Sequence, residues 1–310
     1  MAPSTAVMPF GREAIAEAAR LIAAGEPVAV PTETVYGLAA DATNGTAIAR
    51  VYAAKGRPSF NPLIVHVRDR DAATKIALFD ARAHALAERY WPGALTLVLP
   101  RAPASAVATL ATAGMETIAV RVPAHRAIRD LLEVSGVPLA APSANASGTI
   151  SPTSADHVLR SLGGRIALIV DDGATAIGLE STIVAVEQGD ISLLREGPIG
   201  AAELGATPAH ADAVAPGRLP SHYAPSKPLR LDAFGAGPDE WLIGFGPVPG
   251  NETLSAAGDL IEAASRLYAC LHAADASGAT AIAVASVPDE SIGRAINDRL
   301  RRAAHCDAAS

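Results

Sequence analysis

Short apolar runs recur along the first two thirds of the chain, and their length suits strands better than helices. They are Val28–Val30, Leu63–Val67, Leu95–Leu99, Ile118–Val122, Val137–Ala141, Ile166–Val170, Ser181–Val186 and Ile191–Leu194. Helical patterns precede or separate several of them, at Arg12–Ala24, Thr46–Ala54, Ala81–Tyr90, His125–Ser135 and Ser154–Leu162. Because some neighbouring runs are joined by links too short for a parallel crossover, the sheet is predicted to be mixed. The fold class that follows is α/β.

The sequence changes character near Ala206–Ser226, where several prolines stand among small residues. Such a segment is predicted to be an extended linker. Beyond it, strand-like and helical patterns alternate over Leu229–Phe234, Trp241–Phe245, Leu260–Leu271, Ala281–Ala285 and Ile292–Ala303. We therefore predict a first α/β domain over residues 1–207, a linker over 208–227 and a small α/β domain over 228–310.

Composition limits the classes of function. The formal net charge of −7 and the pI of about 5.6 argue against a protein that wraps nucleic acid by bulk electrostatics, although a local basic patch is compatible with them. Cys270 and Cys306 form no CxxC pair, so neither a disulfide framework nor a cysteine zinc site is predicted. Without a signal sequence or an apolar run of about 18 residues, we expect a cytoplasmic protein with no membrane contact. The GxxxxGK[ST] and HExxH motifs are also absent.

Hydroxyl, cationic and amide side chains cluster near the first apolar runs, within Val30–Leu38, Lys55–Pro58 and Asn61–Leu63. Lys55 and Arg57 lie one residue apart in a segment whose Gly and Pro restrict the backbone, which suits an anionic ligand. Alternatively, these two cations complement the negative end of the helix that precedes them. The nearby Asn61 and the threonine hydroxyls favour a phosphate ligand.

Two polar residues interrupt apolar strands. Arg121 lies in Ile118–Val122, where a buried guanidinium must be paired because an uncompensated charge is costly. Its partner is either one of the chain's own carboxylates or a ligand carboxylate, which the planar guanidinium binds well. We predict the ligand carboxylate, and no internal acid, as the partner. His66 poses the same question more weakly, because a lone histidine in an apolar strand is more often a hydrogen-bonded core residue.

Short polar side chains are dense over Pro142–Gly148 and Ser151–Thr153. They are typical of a turn with an N-cap, supplied by Ser151 or Thr153, for the helix near Ser154. A helix N-terminus surrounded by hydroxyls also suits an anion. Polar groups again flank a strand end in GLESTIV at 178–184 and LREGP at 194–198. No serine is paired with a histidine and an aspartate as a nucleophile would be, so these groups are predicted to bind and orient.

Together these segments resemble the L-threonylcarbamoyladenylate synthases, in the longer form with a YrdC-like domain, a linker and a C-terminal domain. The matching segments are PTETVYGL at 31–38, KGRPSFNPLIVHV at 55–67, WPGALTLVL at 91–99, TIAVRVP at 117–123, APSANASGTISPT at 141–153, GLESTIV at 178–184, LREGPI at 194–199, HYAP at 222–225, GDL at 258–260 and AINDRLRRAA at 295–304. The resemblance implies a YrdC-like twisted mixed sheet and a small Rossmann-like C-terminal domain.

The resemblance also implies a reaction and a site. The family condenses L-threonine, bicarbonate and ATP into threonylcarbamoyl-AMP and pyrophosphate, with Mg²⁺ as cofactor. Residues expected at L-threonine are Thr34, His66, Arg121, Ala141 through its backbone, and Ser181. Residues expected at ATP are Lys55, Arg57, Asn61, Thr117, Ser143, Asn145, Ser151, Arg195 and Tyr223. No catalytic nucleophile is expected, and no metal ligand is assigned. Ala185 stands where the family pattern leads us to expect an acid, outside these contacts.

The product would supply the downstream threonylcarbamoyl transferase machinery that modifies tRNA, so weak direct tRNA binding is compatible with this function. A second enzyme function is carbamoyl-AMP formation in hydrogenase maturation, but the two lone cysteines exclude the zinc-finger modules of those proteins. A third hypothesis is a non-catalytic RNA-binding protein with a YrdC-like domain. The acidic charge balance and the set of Lys55, Arg57, Arg121 and Arg195 favour the synthase.

The linker contains a motif too specific for a passive tether. In Ser221–Pro225, the adjacent His222 and Tyr223 combine ring surface with hydrogen-bonding atoms. We predict that this segment closes over the cavity as a lid that excludes water, with Tyr223 as its anchor. The alternative is that Tyr223 only fastens the linker to the surface.

Overall fold

The computed structural model describes residues 4–209 and 223–305. The strands of the first domain are β1 (Ala6–Pro9), β2 (Val28–Pro31), β3 (Tyr36–Asp41), β4 (Ile64–His66), β5 (Leu95–Pro100), β6 (Thr117–Arg121), β7 (Leu139–Ala140), β8 (Leu168–Asp171), β9 (Thr182–Glu187), β10 (Asp190–Arg195) and β11 (Thr207–Pro208). Its helices are α1 (Arg12–Ala23), α2 (Gly45–Lys55), α3 (Arg70–Thr74), α4 (Ala81–Tyr90), α5 (Arg126–Ser135), α6 (Ala155–Leu162) and α7 (Ala201–Leu204), with a 3₁₀ turn at Thr109–Thr112.

These strands form one mixed sheet in the order β1-β8-β2-β3-β7-β4-β6-β5-β9-β10-β11. Parallel pairs such as β4 with β6 alternate with antiparallel pairs such as β5 with β6. The predicted mixed α/β fold is therefore confirmed. The register places His66 directly beside Arg121, so the two polar residues of the apolar strands lie at the same end of neighbouring strands.

Strand β3 was not predicted from the sequence. It is rich in Ala and Gly, which have low strand propensity, and it forms because it pairs with both β2 and β7. Gly37 lies close to the neighbouring strand, since an added Cβ would be 3.2 Å from the Cβ of Ala141 and would force a small shift there. Strands β1 and β11 were also missed, and the predicted strand Leu229–Phe234 is reduced to two residues.

The N-cap of α6 is Ser154, whose side chain accepts a hydrogen bond from the backbone N–H of His157 at 3.3 Å. The prediction of Ser151 or Thr153 as the cap is therefore wrong. Ser151 Oγ instead donates to Glu180 Oε1 at 2.6 Å. Thr153 pairs with His157 Nδ1.

The second domain contains β12 (Leu229–Arg230), β13 (Glu240–Gly244), β14 (Glu252–Thr253) and β15 (Ala281–Val284), with helices α8 (Leu260–Ala276) and α9 (Gly293–Ala304). Its strands are all parallel, in the order β12-β15-β13-β14, as predicted for a small Rossmann-like domain. Of the predicted linker 208–227, residues 210–222 lie outside the described residues, and the predicted lid lies partly among them; its predicted anchor, Tyr223, is described and buried. No helix of the described ranges is long and apolar enough to cross a membrane.

The two domains share an apolar core. Val35, Ile150 and Leu179 of the first domain are buried in the same cluster as Leu267 of α8 and Ile296 of α9. Each apolar side chain buried in this way stabilises the fold by about 1.5–3 kcal/mol. The second domain is therefore held against the first by a continuous core and not only by surface contacts.

Gly178 marks the closest approach between the domains. Its φ is +74°, and an added Cβ would lie 2.6 Å from both Cα and the carbonyl oxygen of Ser265 in α8. Only glycine fits, because both the backbone conformation and the space exclude a side chain. This contact fixes the start of the segment that runs through Glu180 and Ser181.

Replacement of Gly178 by alanine is expected to cost about 1–3 kcal/mol for overpacking in addition to the cost of a positive φ. Gly173→Ala is a matched control, because Gly173 has a φ of +77° with no atom within 4 Å of the added Cβ. Urea denaturation of both variants measures the difference in the free energy of unfolding. Equal losses would contradict the close packing of the 178 segment on α8.

Candidate substrate-binding site

A small cavity opens at the end of the sheet where β4 and β6 carry His66 and Arg121. Most of the residues predicted from the sequence line it, namely Thr34, Arg57, His66, Arg121, Ala141, Ser143, Ser181, Arg195 and Tyr223. Lys55, Asn61, Thr117, Asn145 and Ser151 are not part of this lining. The structure thus brings together residues that are up to 189 positions apart in the sequence, from Thr34 to Tyr223.

The first wall is a turn after β2 that is built by the threonines of the PTET segment. The hydroxyl of Thr32 donates to the Val35 carbonyl at 2.7 Å and accepts from the backbone N–H groups of Thr34 and Val35. The side chain thus adds to the backbone hydrogen bond from the Thr32 N–H to the Val35 carbonyl at 3.2 Å, which closes the turn between β2 and β3. It leaves the Thr34 hydroxyl facing Arg121 Nη1 at 3.0 Å.

Arg121 has an internal acidic partner, so the prediction that it has none is wrong. Its Nη2 donates to Glu33 Oε1 at 2.5 Å, Nη1 to Thr34 and Nε to the Gly93 carbonyl at 3.0 Å. Glu33 Oε2 also accepts from the backbone N–H of Ala124 at 3.1 Å. These bonds use three of the five N–H groups of a guanidinium. Because Arg121 lines the cavity, its remaining N–H groups can still serve a ligand carboxylate.

Burial alone would raise the pKa of Glu33, but Arg121 and backbone N–H groups outweigh it and hold this pKa below its usual value. Glu33 is therefore charged at neutral pH. Sequence reasoning missed Glu33, although it lies inside the quoted PTET segment. An acid between two threonines at a strand end was the available signal.

Arg195 and Ser181 form the opposite wall. Arg195 Nε and Nη2 donate to the Ser181 carbonyl at 3.1 and 2.9 Å, and Nη2 also reaches Ser181 Oγ at 3.1 Å. Thr96 of β5 completes the group, with its hydroxyl 2.7 Å from that of Ser181. Burial lowers the pKa of Arg195. An anionic ligand would compensate this buried charge.

Arg57 is held over the cavity by backbone carbonyls. Its Nε donates to the carbonyl of Asn61 at 3.2 Å and Nη2 to that of Pro62 at 3.0 Å. Burial lowers the pKa of Arg57 to about 10, and Arg195 adds to this effect. Three guanidinium groups, those of Arg57, Arg121 and Arg195, thus line one cavity. Such a site is suited to anions.

Lys55 lies behind the wall. Its side chain is 2% exposed, and Nζ donates to the carbonyls of Ser143 and Asn145 at 2.5 Å each. Lys55 therefore donates its hydrogen bonds to the 143–145 loop. The alternative to phosphate binding had been an interaction with the end of its own helix α2, and no hydrogen bond to that end is seen among the described residues. Burial and the nearby Arg57 place the pKa of Lys55 well below its usual value. Its role at the phosphates stays a prediction. The contact that the structure shows is with the 143–145 loop, which Lys55 holds in place.

The remaining predicted residues surround the lining. Asn145 Nδ2 donates to the Thr149 carbonyl at 2.8 Å, and Thr117 begins β6, four residues before Arg121. Asn61 is buried next to the cavity-lining Pro62, and its Oδ1 has no hydrogen-bond partner among the described residues. Ala185, the departure from the family pattern, packs with the apolar cluster around Ile183.

Glu180 is a cavity residue that sequence reasoning missed. It is 6% exposed and accepts hydrogen bonds from Ser151, from Tyr268 of α8 and from Arg299 of α9. Burial alone would raise the pKa of Glu180, but Arg299, Arg195 and the Ser151 hydroxyl outweigh it and lower the pKa to about 2. A carboxylate directly before Ser181, at the start of an apolar strand, was the signal in the sequence.

His66 is a neutral cavity residue. Burial, and then the charge of Arg121, lower its pKa to about 3. Its Nδ1 is buried with no hydrogen-bond partner among the described residues. Because the ring lines the cavity, a neutral hydrogen bond to a ligand is the role that this geometry supports.

The buried His66 makes stability dependent on pH. Its pKa is lower in the folded than in the unfolded chain, so its contribution is complete above about pH 6.5 and is lost as the pH falls towards 3. Replacement of His66 by glutamine should reduce the slope of the free energy of unfolding between pH 6 and 4 by up to about 1.4 kcal/mol per pH unit. Urea denaturation across this range measures it. An unchanged slope would contradict the neutral His66.

The fold and the cavity define a two-domain α/β protein with three arginines in the lining of one cavity. Residues 20–197 match the family described as "Telomere recombination" (Sua5_yciO_yrdC), and residues 182–305 match "Threonylcarbamoyl-AMP synthase, C-terminal domain". A Bacillus subtilis protein named threonylcarbamoyl-AMP synthase is 41% identical, over 94% of this chain and 92% of its own length. A Pyrococcus abyssi protein of the same name is 37% identical, over 92% of each chain.

Among solved structures, P. abyssi Sua5 complexed with L-threonine superimposes with a TM-score of 0.88 at 36% identity, covering 97% of this chain and 98% of that one. The chain belongs to the threonylcarbamoyl-AMP synthase family, whose members are nucleotidyltransferase-type enzymes.

Proposed function

We propose that the cavity between β4, β6 and the 178–181 segment condenses ATP, L-threonine and bicarbonate into threonylcarbamoyl-AMP and pyrophosphate. The observation that supports this most is the meeting of three guanidinium groups in one small cavity, where two anionic substrates must be held together. Threonylcarbamoyl-AMP synthesis is the activity named for relatives that match the chain over nearly its full length.

The L-threonine subsite is proposed at Arg121, Thr34 and His66. The unused N–H groups of Arg121 would bind the substrate carboxylate, and the Thr34 hydroxyl beside them, which donates to Thr32 Oγ1 at 2.7 Å, would accept from the amine. The neutral His66 Nδ1 would form a hydrogen bond with the hydroxyl of the substrate. The backbone of Ala141 and the Ser181 hydroxyl would close this subsite.

The ATP subsite is proposed at Arg57, Arg195 and Ser143. Both guanidiniums are buried enough for their pKa to fall, so an anionic phosphate would stabilise them. Asn61, Thr117 and Ser151 would surround the nucleotide, with Tyr223 covering it. Lys55 and Asn145 would fix the loop that carries Ser143.

The chemistry needs no enzyme nucleophile. The threonine amine takes up carbon dioxide from bicarbonate to form a carbamate, with loss of water. A carbamate oxygen then attacks the α-phosphorus, and the bond to pyrophosphate breaks. The residues of this chain contribute by holding the carbamate and the triphosphate in line against their mutual repulsion.

Mg²⁺ is proposed to enter with ATP. The described residues contain no group of three acidic, histidine or cysteine side chains that could hold a metal. The phosphate oxygens of ATP would therefore supply most of the Mg²⁺ ligands, as is usual for this ion. We also propose that the protein works in the cytoplasm and delivers its product to the tRNA threonylcarbamoyl transferase machinery, with at most weak direct binding of tRNA.

Mass spectrometry tests the proposal directly. Incubation of the full chain with ATP, L-threonine, bicarbonate and MgCl₂ should give threonylcarbamoyl-AMP together with pyrophosphate. Omission of threonine is the control, since it should abolish both products. Binding of RNA in a salt-sensitive manner, without pyrophosphate release, would support the non-catalytic alternative instead.

A further inference from the structure

The second domain reaches the cavity through one buried side chain, Arg299 of α9. Its side chain is fully buried, and Nε donates to Glu180 Oε2 at 3.1 Å. Its guanidinium carbon also lies 5.4 Å from the centre of the Tyr223 ring, on its face. Glu180 and Tyr223 both line the cavity, whereas Arg299 does not.

Glu180 connects this arginine to the walls of the cavity. One of its oxygens accepts from Ser151 Oγ at 2.6 Å, and both accept from Tyr268 of α8. The next residue, Ser181, is the acceptor of three hydrogen bonds from Arg195. Glu180 is therefore linked to Ser151 by a hydrogen bond and to Arg195 through the next residue in the chain.

Charge gives a second reason for the contact. A carboxylate in a cavity for anionic substrates repels them, and it must be neutralised from outside the cavity. Arg299 does this from the protein side. Its Nη1 also donates to Asp298 Oδ2 at 2.8 Å, and Asp298 has a second cationic partner in Arg302. The residues that a substrate touches are thereby left free of a salt bridge to Glu180.

We propose that Arg299 is a positioning residue for the reaction, which acts on the nucleotide subsite through Glu180 and Tyr223. The inference rests on the proposed function, because that function assigns Ser151, Arg195 and Tyr223 a role in holding ATP. It gives the second domain a part in catalysis that its distance from the substrates would not indicate.

The first test compares Arg299→Lys with Leu300→Ala in the full chain. The lysine keeps the charge beside Glu180 but loses the planar fork, so kcat/KM for ATP should fall about tenfold, the effect of one charge-assisted hydrogen bond. The KM for threonine should change less than about twofold, because Arg121 is untouched. Leu300 lies next to Arg299 and is buried in the shared core, so Leu300→Ala should lower Tm with normal kinetics at 20 °C below that Tm.

The second test separates the positioning of Glu180 by Arg299 from the neutralisation of its charge. Arg299→Met leaves Glu180 buried without its main partner and should lower Tm strongly. Adding Glu180→Gln removes the unpaired charge and should restore much of the Tm, while kcat/KM for ATP stays low. Recovery of the kinetics together with Tm would overturn the proposal, as would wild-type kinetics in Arg299→Lys.

Binding of a non-hydrolysable ATP analogue by calorimetry gives a readout without turnover, and its Kd should rise about tenfold in Arg299→Lys. The wild-type chain in the same assays keeps the two proposals apart. If it forms no threonylcarbamoyl-AMP, the proposed function fails. If it does, and the Arg299 variants match it, only the role of Arg299 fails.

Discussion

Arg121→Ala should reduce threonine affinity by about 10–100-fold and should also lower the free energy of unfolding by about 3–5 kcal/mol. The two losses have separate causes. The first is the loss of a guanidinium that lines the cavity. The second arises because Glu33, whose side chain is only 12% exposed, keeps its charge without its partner. Calorimetric titration with threonine and urea denaturation measure them independently.

The double variant Arg121→Ala with Glu33→Gln separates these causes. Glutamine keeps an oxygen for the backbone N–H of Ala124 but removes the unpaired charge. We expect most of the stability to return, while threonine binding stays weak. If threonine binding returned with stability, Arg121 would be a structural partner of Glu33 and not a ligand contact.

Lys55→Met is the second substitution with a large expected effect. It leaves the carbonyls of Ser143 and Asn145 buried without a donor, at about 1–3 kcal/mol each. The loop that carries Ser143 should then loosen, and ATP affinity should fall at least about tenfold. Thermal unfolding and calorimetric titration with an ATP analogue test the two effects together.

Arg57→Met is the matched comparison, because it removes a neighbouring cation that lines the cavity. The Asn61 carbonyl keeps a donor in this variant, namely the hydroxyl of Tyr52 at 3.0 Å. Only the Pro62 carbonyl loses its donor, so stability should fall less than in Lys55→Met, which removes the donor of two carbonyls, while ATP affinity falls. If the Lys55 variant kept normal stability but bound ATP weakly, this would instead support direct binding of the phosphates by Lys55.

The strands that the sequence located are those in which apolar residues carry the signal, such as β5 with Leu95, Leu97 and Leu99. Strand β3 escaped because Gly37 and its alanines have no strand preference of their own. Its pairing with β2 and β7 decides its conformation. That information is held in residues about a hundred positions away, such as Leu139 and Ala140.

The site was located by motif, but its internal contacts were not. Arg121 was predicted to have a ligand carboxylate and no internal acid as its partner, yet it binds Glu33, which lies 88 residues away in the sequence. A single sequence lists cations and acids without their distances, so it cannot choose between a salt bridge and a ligand contact. The Glu180–Arg299 contact spans 119 residues and two domains, and no local pattern predicts it.

The apolar core that Leu179, Leu267 and Ile296 share has a consequence for how the molecule responds to its substrates. Two regions joined by one core open together, since separating them exposes the same surface that unfolding either of them exposes. Occupation of the cavity should thus slow amide hydrogen exchange in α8 and α9, although none of their residues lines the cavity. The second domain then behaves as part of one cooperative unit, and its folding is linked thermodynamically to ligand concentration.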